Sequence, residues 1–261
     1  MKVIITGASG ILGREVVKWF HNPITPTHSQ MPIEDKDKVN QFIEDIKPDL
    51  LIHLAATVDM NVCEVNKEET WKINVNGTEN LVDACMRFCP KCRFVYMSSP
   101  SVFEGEYVKE ETAKPKEENH YTNTDRFYGY TKSIGEIIVK RSSLTWIIIR
   151  GQFRARAPYK HPKAFIERYG NFIFSDQLAF GIKEIIDSNK TGIFHLGGNK
   201  VISMFEVAKR CPNSAHVEPL TIQEFQKENP DARKLPKFAV IKSTRWKEYD
   251  IDTPIEEYKN E

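Results

Sequence analysis

Hydrophobic and polar positions along the first 150 residues switch between two periods. Val3-Ile4-Ile5 is a short unbroken apolar run stopped by Gly7, and it predicts a strand over 2–6. Residues 11, 12, 16, 17, 19 and 20 are apolar at the spacing of one helical face. A weak strand is expected over 24–28. A helix over 36–47 follows, carried by Val39, Phe42, Ile43 and Ile46 and ended by Pro48. The pattern then predicts a strand over 50–54 and a long helix over 69–89, with Val75, Thr78, Leu81, Val82, Cys85 and Cys89 on one face. A strand over 93–97, a helix over 127–140 and a strand over 145–149 complete the series. The strands are apolar throughout instead of alternating, as strands covered on both faces must be. Regular strand–helix alternation with such strands predicts an α/β chain built on a doubly wound parallel sheet.

Past Arg150 the periodicity loosens. Residues 151–170 mix Arg, Pro, Lys and aromatics and read as a loop-rich excursion. A helix over 176–187 and a strand over 192–196 resume the earlier rhythm. Ser203-Met204-Phe205-Glu206 and Thr221-Ile222-Gln223-Glu224 each have the Ser/Thr-x-x-Glu form that opens a helix. The expected division is a nucleotide-binding core over 1–150 and a reduced substrate-binding lobe over 151–261. Elements near 176–200 return to the core. The polar stretch 109–123 reads as a surface loop.

Composition narrows the function. Lys and Arg number 37 against 36 Asp and Glu, so no net field attracts nucleic acid or an anionic membrane. No apolar run reaches the length of about 20 residues that a membrane span needs. The start lacks a secretory pattern, and the five cysteines are odd in number and lie mostly in helix or strand patterns. A cytosolic protein with reduced thiols is expected.

The most specific motif is Thr6-Gly7-Ala8-Ser9-Gly10-Ile11-Leu12-Gly13, placed between a strand and a helix. Gly7 allows a tight turn, Gly10 lets backbone approach a pyrophosphate, and Gly13 permits close packing; the free N–H groups at the helix start complete the cradle. This makes the core Rossmann-type and its ligand a dinucleotide. An NAD site usually carries Asp or Glu about 20 residues further on. Here that region is Thr25-Pro26-Thr27-His28-Ser29-Gln30, without a carboxylate. Arg14 and His28 could meet a 2′-phosphate, so NADP(H) is expected over NAD(H).

Tyr128 and Lys132 lie four apart at the start of a predicted helix and so share a face. About 30 residues earlier a strand ends in Met97-Ser98-Ser99, at the carboxyl edge where sites of such sheets lie. Together these residues suit carbonyl reduction. The carbonyl oxygen needs a proton, which a tyrosine can give, but free tyrosine has a pKa of about 10. A lysine ammonium about 4 Å away favours phenolate by ~4 kcal/mol at an effective dielectric of ~20, roughly 3 pKa units. Burial opposes this. Ser99 would hold the substrate oxygen.

With these three features the chain resembles the extended short-chain dehydrogenase/reductase superfamily. His53-Leu54-Ala55-Ala56 is similar to its strand-end segment beside the cofactor, and Asn74-Val75-Asn76-Gly77-Thr78-Glu79-Asn80-Leu81 to its central helix. Lys47-Pro48-Asp49, Val102-Phe103-Glu104-Gly105 and Thr191-Gly192-Ile193-Phe194-His195-Leu196-Gly197-Gly198 resemble the dTDP-4-dehydrorhamnose reductase branch. The resemblance implies a sugar-nucleotide oxidoreductase with Ser99, Tyr128, Lys132 and Asn74 as catalytic residues. It implies cofactor contacts from Gly7, Ser9, Gly10, Ile11, Leu12, Gly13, Arg14, His28, Leu54, Ala55, Ala56, Tyr128 and Lys132. Thr57, Ser101, Arg154 and Arg156 would face a nucleotide-sugar substrate, and a homodimer is compatible with the resemblance. Dehydratases of the superfamily carry Asp-Glu after the Ser/Thr; Pro100-Ser101 here cannot do that acid–base work. A 4-epimerase holding NAD, and a non-catalytic regulatory subunit like the β subunit of methionine adenosyltransferase, remain alternatives.

Two further patterns are weighed. Cys85-x-x-x-Cys89-x-x-Cys92 has the spacing of an iron–sulfur motif, but its helical face favours burial as small hydrophobes, and no metal is expected. The basic run Arg154, Arg156, Lys160, His161, Lys163 and Arg168 suits a diphosphate as well as it suits solvent.

Overall fold

Five apolar segments pair in parallel as β1 (Val3–Thr6), β2 (Leu50–His53), β3 (Arg93–Ser98), β4 (Thr145–Gly151) and β5 (Gly192–Leu196), in that spatial order. The computed structural model describes residues 1–103, 115–230, 232 and 235–259. Register is unbroken across the sheet, with Ile5 opposite Ile52, Val95 opposite Ile147 and Ser98 opposite Arg150. The expected strand over 24–28 is reduced to one bridge beside β1: Ile5 N donates to Ile24 O at 2.9 Å and Ile24 N to Val3 O at 2.8 Å. Pro23 and Pro26 flank Ile24 and have no N–H for a ladder, so pairing stops there.

Helix α1 (Ile11–Val17) carries the chain to that edge; α2 (Lys36–Ile46) brings it back across to β2. The direction of winding therefore reverses between β1 and β2, which opens a crevice at their carboxyl ends. Short helices α3 (Met60–Val65) and α4 (Lys67–Trp71) lead through a π-helical turn, Lys72–Asn76, into α5 (Gly77–Phe88). The single long helix expected over 69–89 is thus interrupted by a wide turn, a distortion that serves the site. Helix α6 (Phe127–Arg141) precedes β4, and α7 (Ser175–Asp187) precedes β5.

Alternation along each strand fills two cores. Val3, Ile5, Ile147, Ile149 and Phe194 pack with α1 and α7 on one face. Ile4, Leu51, Phe94 and Ile148 pack with α2, α5 and α6 on the other. The lobe is built from two- and three-residue strands, such as Phe153–Arg154 with Ile173–Phe174 and Tyr169–Gly170 with Phe238–Ala239. Both Ser/Thr-x-x-Glu sequences form reciprocal caps, at Ser203/Glu206 and Thr221/Glu224. Among the described residues no helix is long and apolar enough to cross a membrane.

The segment 109–123 was expected as a surface loop; within its described part most residues are exposed loop, with two exceptions. Residues 109–114 lie outside the described residues, as do Glu104 and Gly105. Within the remainder Lys116 and Glu118 are buried. Lys116 pairs with the Val240–Lys242 backbone, and Glu118 accepts from His195 N and from Thr244 N and Oγ1. The polarity of these two residues serves partners inside the protein.

Candidate active site

The crevice is a cavity of about 750 Å³, lined by the glycine loop, the ends of β2–β4, α6 and the lobe. A second cavity of about 690 Å³ adjoins it and shares Gly7, Ser9, Ala55 and Ala56. Gly7 has φ +70°, and a Cβ there would meet Ala55 N at 2.6 Å. A Cβ on Gly13 would lie 2.2 Å from Gly7 O and 2.6 Å from Ala8 Cα. Only glycine lets α1 start this close to the turn, leaving the loop backbone as the cavity floor. Gly10, Ile11 and Leu12 line the same floor, with Leu54 beside them. A cradle that any side chain would fill fits a dinucleotide pyrophosphate.

Tyr128, Lys132, Ser98 and Ser99 line the opposite wall. The two serines have different tasks. Ser98 Oγ donates to buried Glu136 at 2.6 Å, whereas Ser99 Oγ accepts from Ser101 N at 3.2 Å and keeps its own proton for another acceptor. Ser101 also lines the cavity.

Asn74, expected as catalytic, is not part of the lining. Its Oδ1 accepts from Thr57 N at 2.8 Å; its Nδ2 donates to Thr57 O at 3.0 Å and Thr131 Oγ1 at 3.1 Å. Thr131 Oγ1 in turn donates to Tyr128 O at 2.8 Å. Both amide N–H groups are thus engaged by the backbone of Thr57 and the hydroxyl of Thr131, beside Tyr128. The π turn supplies this geometry by holding Asn74 inward. Thr57 faces the second cavity, with its backbone clamped by Asn74.

Behind this wall lies a polar relay. Thr78 Oγ1 donates to Asn74 O at 2.7 Å and so accepts from His53 Nε2 at 3.1 Å. His53 Nδ1 is then the acceptor for Thr6 Oγ1 at 2.8 Å, and the ring is neutral. Burial, aided by the charge of Lys132, pushes the His53 pKa down to about 3. Lys132 lies 4.1 Å from the centre of the Tyr96 ring. Burial pushes its pKa down to about 7, with Glu136 acting the other way.

Glu136, one turn beyond Lys132, was missed in the sequence. Burial would raise its pKa, but two hydrogen bonds and the charge of Arg150, with the Ser98 hydroxyl, hold it below the ordinary value. Arg150 Nε and Nη2 meet its two oxygens at 2.8 and 2.7 Å, and both residues are fully buried. Arg150 Nη1 also reaches Glu118 O and His195 Nε2, each at 3.3 Å. The helical stripe Tyr128, Lys132, Glu136 was the available signal.

The second cavity holds the adenosine-side candidates. Arg14 Nε donates to Ser9 O at 2.9 Å, folding the guanidinium over the glycine loop. His28 Nε2 lies 2.8 Å from Glu34 Oε1, and both line the cavity. Glu34 corrects the expectation that no carboxylate reaches this region; its Oε2 is buried and has no hydrogen-bond partner among the described residues. It escaped notice because it follows Pro32 and Ile33 outside any strand.

In the lobe, Arg154 and Arg168 line the main cavity, together with Phe153. Arg156 does not: it binds Asp176 at 2.8 Å and stacks over Phe174. Lys160, His161, Lys163 and Tyr159 also lie outside the lining, so the basic run separates into two cleft residues and several exposed ones.

Residues 1–153 match the model of the RmlD substrate-binding domain family. The chain belongs to this family. It thus falls in the dTDP-4-dehydrorhamnose reductase-like branch of the extended short-chain dehydrogenase/reductase superfamily. A dTDP-4-dehydrorhamnose reductase from Clostridium acetobutylicum superposes with a TM-score of 0.84 at 26% identity, covering 100% of this chain and 99% of that one. The dTDP-4-dehydrorhamnose reductase of Bacillus anthracis, solved in complex with NADP, gives 0.82 at 22% identity over 96% of each chain. Methionine adenosyltransferase 2 subunit beta from Bos taurus is 25% identical, spanning 84% of this chain and 75% of that protein.

Proposed function

We propose that the protein is an NAD(P)H-dependent reductase of the keto group of a nucleotide-activated 4-keto-6-deoxysugar. The observation that carries this reading is one cavity with the glycine cradle on its floor, Ser99, Tyr128 and Lys132 on one wall, and Arg154 and Arg168 in the lobe. Its volume of about 750 Å³ is that of a small-molecule site. The near-complete overlap with the Clostridium acetobutylicum reductase supports the same substrate class.

Bound reduced nicotinamide supplies the hydride. Tyr128 gives its phenolic proton to the substrate oxygen as that oxygen gains charge. Ser99, whose oxygen already accepts from Ser101 N, donates its proton to the same oxygen and polarises the carbonyl. Lys132 stabilises the phenolate left behind. Asn74 and Thr131 hold the helix backbone from which Tyr128 projects. Arg154 and Arg168 suit the diphosphate. Among the described residues the main cavity is lined by no carboxylate, and Pro100-Ser101 stand where a dehydratase carries Asp-Glu.

The finer choice of NADPH over NADH is supported by Arg14 at the second cavity and by the NADP bound to the Bacillus anthracis enzyme. Glu34 weighs against it, because a 2′-phosphate would meet a carboxylate there. The reading is tested by following oxidation of NADPH and of NADH with the 4-keto-6-deoxyhexose supplied on dTDP and on UDP. Turnover with one donor assigns cofactor and base together. Cofactor binding with no turnover on either donor would overturn the reductase assignment.

A further inference from the structure

Three of the five cysteines converge at the end of the sheet opposite the cleft. Cys85 sits in the last turn of α5, Cys89 caps that helix, and Cys92 immediately precedes β3. Cys89 N donates to Cys85 O at 3.0 Å and Cys92 N to Cys89 O at 2.8 Å, so a tight Cys-x-x-Cys turn follows the helix end. The result is that all three sulfurs lie within 4.8 Å of one another. Cys85 and Cys92 are buried at 0% and 1% exposure, and Cys89, at 9%, forms the rim. The other two cysteines sit apart, with Cys63 Sγ directed to Thr57 O and Cys211 Sγ to Val207 O.

We propose that Cys85, Cys89 and Cys92 form a mononuclear site for a soft, thiophilic metal ion of the zinc and cadmium class. Metal–sulfur bonds of about 2.3 Å place neighbouring sulfurs about 3.8 Å apart in a tetrahedral site, so small side-chain rotations suffice. An iron–sulfur cluster does not fit, because sulfurs this close leave no room for several iron atoms between them. The donors are all sulfur, which selects soft ions over magnesium or calcium. Three thiols release their protons to solvent on binding, and the fourth position, on the Cys89 side, is left to water. Such an ion would tie the end of α5 to the start of β3. Because β3 runs about 20 Å from Cys92 to Ser98 at about 3.3 Å per residue, the ion is structural and takes no part in reduction.

The test is titration of the reduced full-length protein with Cd²⁺ under argon, read by the thiolate-to-cadmium absorption band and by the unfolding midpoint. One equivalent per chain, with a rise in the midpoint, is expected. Cys89→Ser, at the rim, should weaken binding about 100-fold or more while its circular dichroism stays native. Cys85→Ala should do the same if it folds. Cys63→Ser and Cys211→Ser should bind as the wild type does. Absence of the band at one equivalent, or its loss in Cys63→Ser or Cys211→Ser but not in Cys89→Ser, would overturn the proposal.

Discussion

Replacing Glu136 by glutamine separates the charge that tunes the site from the residues that do the chemistry. Glu136 follows Lys132 by one helical turn, so their Cβ atoms are about 6 Å apart. At an effective dielectric of about 20, that separation is worth roughly 3 kcal/mol in favour of the Lys132 ammonium, or about 2 pKa units. Burial already brings Lys132 down to about 7 against the pull of Glu136. Without the carboxylate its pKa should fall further. In the proposed reaction Lys132 is charged and Tyr128 protonated, so kcat/KM should decline on the alkaline side as Lys132 loses its proton. In Glu136→Gln this limb should move about 2 pH units to lower pH. The single change also leaves the Arg150 guanidinium, 1% exposed, without its anion, at a cost of about 3–5 kcal/mol in stability. The double variant Glu136→Gln/Arg150→Met removes both charges and should recover most of that loss, while keeping part of the displacement, since the Arg150 cation that opposed Lys132 is removed too. The assay is the pH profile of kcat/KM for both variants beside urea unfolding. An alkaline limb that stays in place in the double variant, or moves upward, would refute the argument.

Three other outcomes follow from the same geometry. The depressed pKa of Lys132 means that the unfolded chain binds more protons between about pH 7 and 10.5, so this residue makes stability rise across that window, by about 5 kcal/mol in all; Lys132→Met should flatten the rise in urea-unfolding measurements between these limits. Gly13→Ala places a methyl 2.2 Å from Gly7 O and should weaken NADPH binding, followed by nucleotide fluorescence, about 100-fold while the sheet still folds. Glu34→Gln should raise the ratio of NADPH to NADH efficiency about tenfold, because it removes an anion from the position a 2′-phosphate would face; an unchanged ratio would place the adenosine ribose elsewhere.

Local sequence carried the sheet and one wall of the site. Runs such as Val3-Ile4-Ile5 and Ile147-Ile148-Ile149 are apolar on both faces, and no other arrangement buries them as well. The glycine loop was legible because each glycine answers a steric demand that the turn itself creates. What escaped was set by long-range contact. Glu136 reads as an ordinary helical glutamate until Arg150, fourteen residues on, is seen to fold against it. Glu118 lies in a polar stretch whose partners, His195 and Thr244, come from distant elements. Arg154 and Arg156 are nearly indistinguishable in sequence, yet only Arg154 lines the cleft because Asp176 draws Arg156 away. The π turn was invisible because it leaves the helical hydrophobic period nearly intact while moving Asn74 inward.

In the proposed reaction Tyr128 is the proton donor of a reductase acting on a nucleotide-linked 4-keto sugar. This role is tested most directly by single-turnover oxidation of bound NADPH, mixed with dTDP-4-keto-6-deoxyhexose, in the wild type and in Tyr128→Phe. Rapid oxidation is expected in the wild type and a loss of about 10²-fold or more in the variant, with NADPH affinity nearly unchanged. Equal rates in the two proteins, or no oxidation in the wild type although both ligands bind, would contradict it.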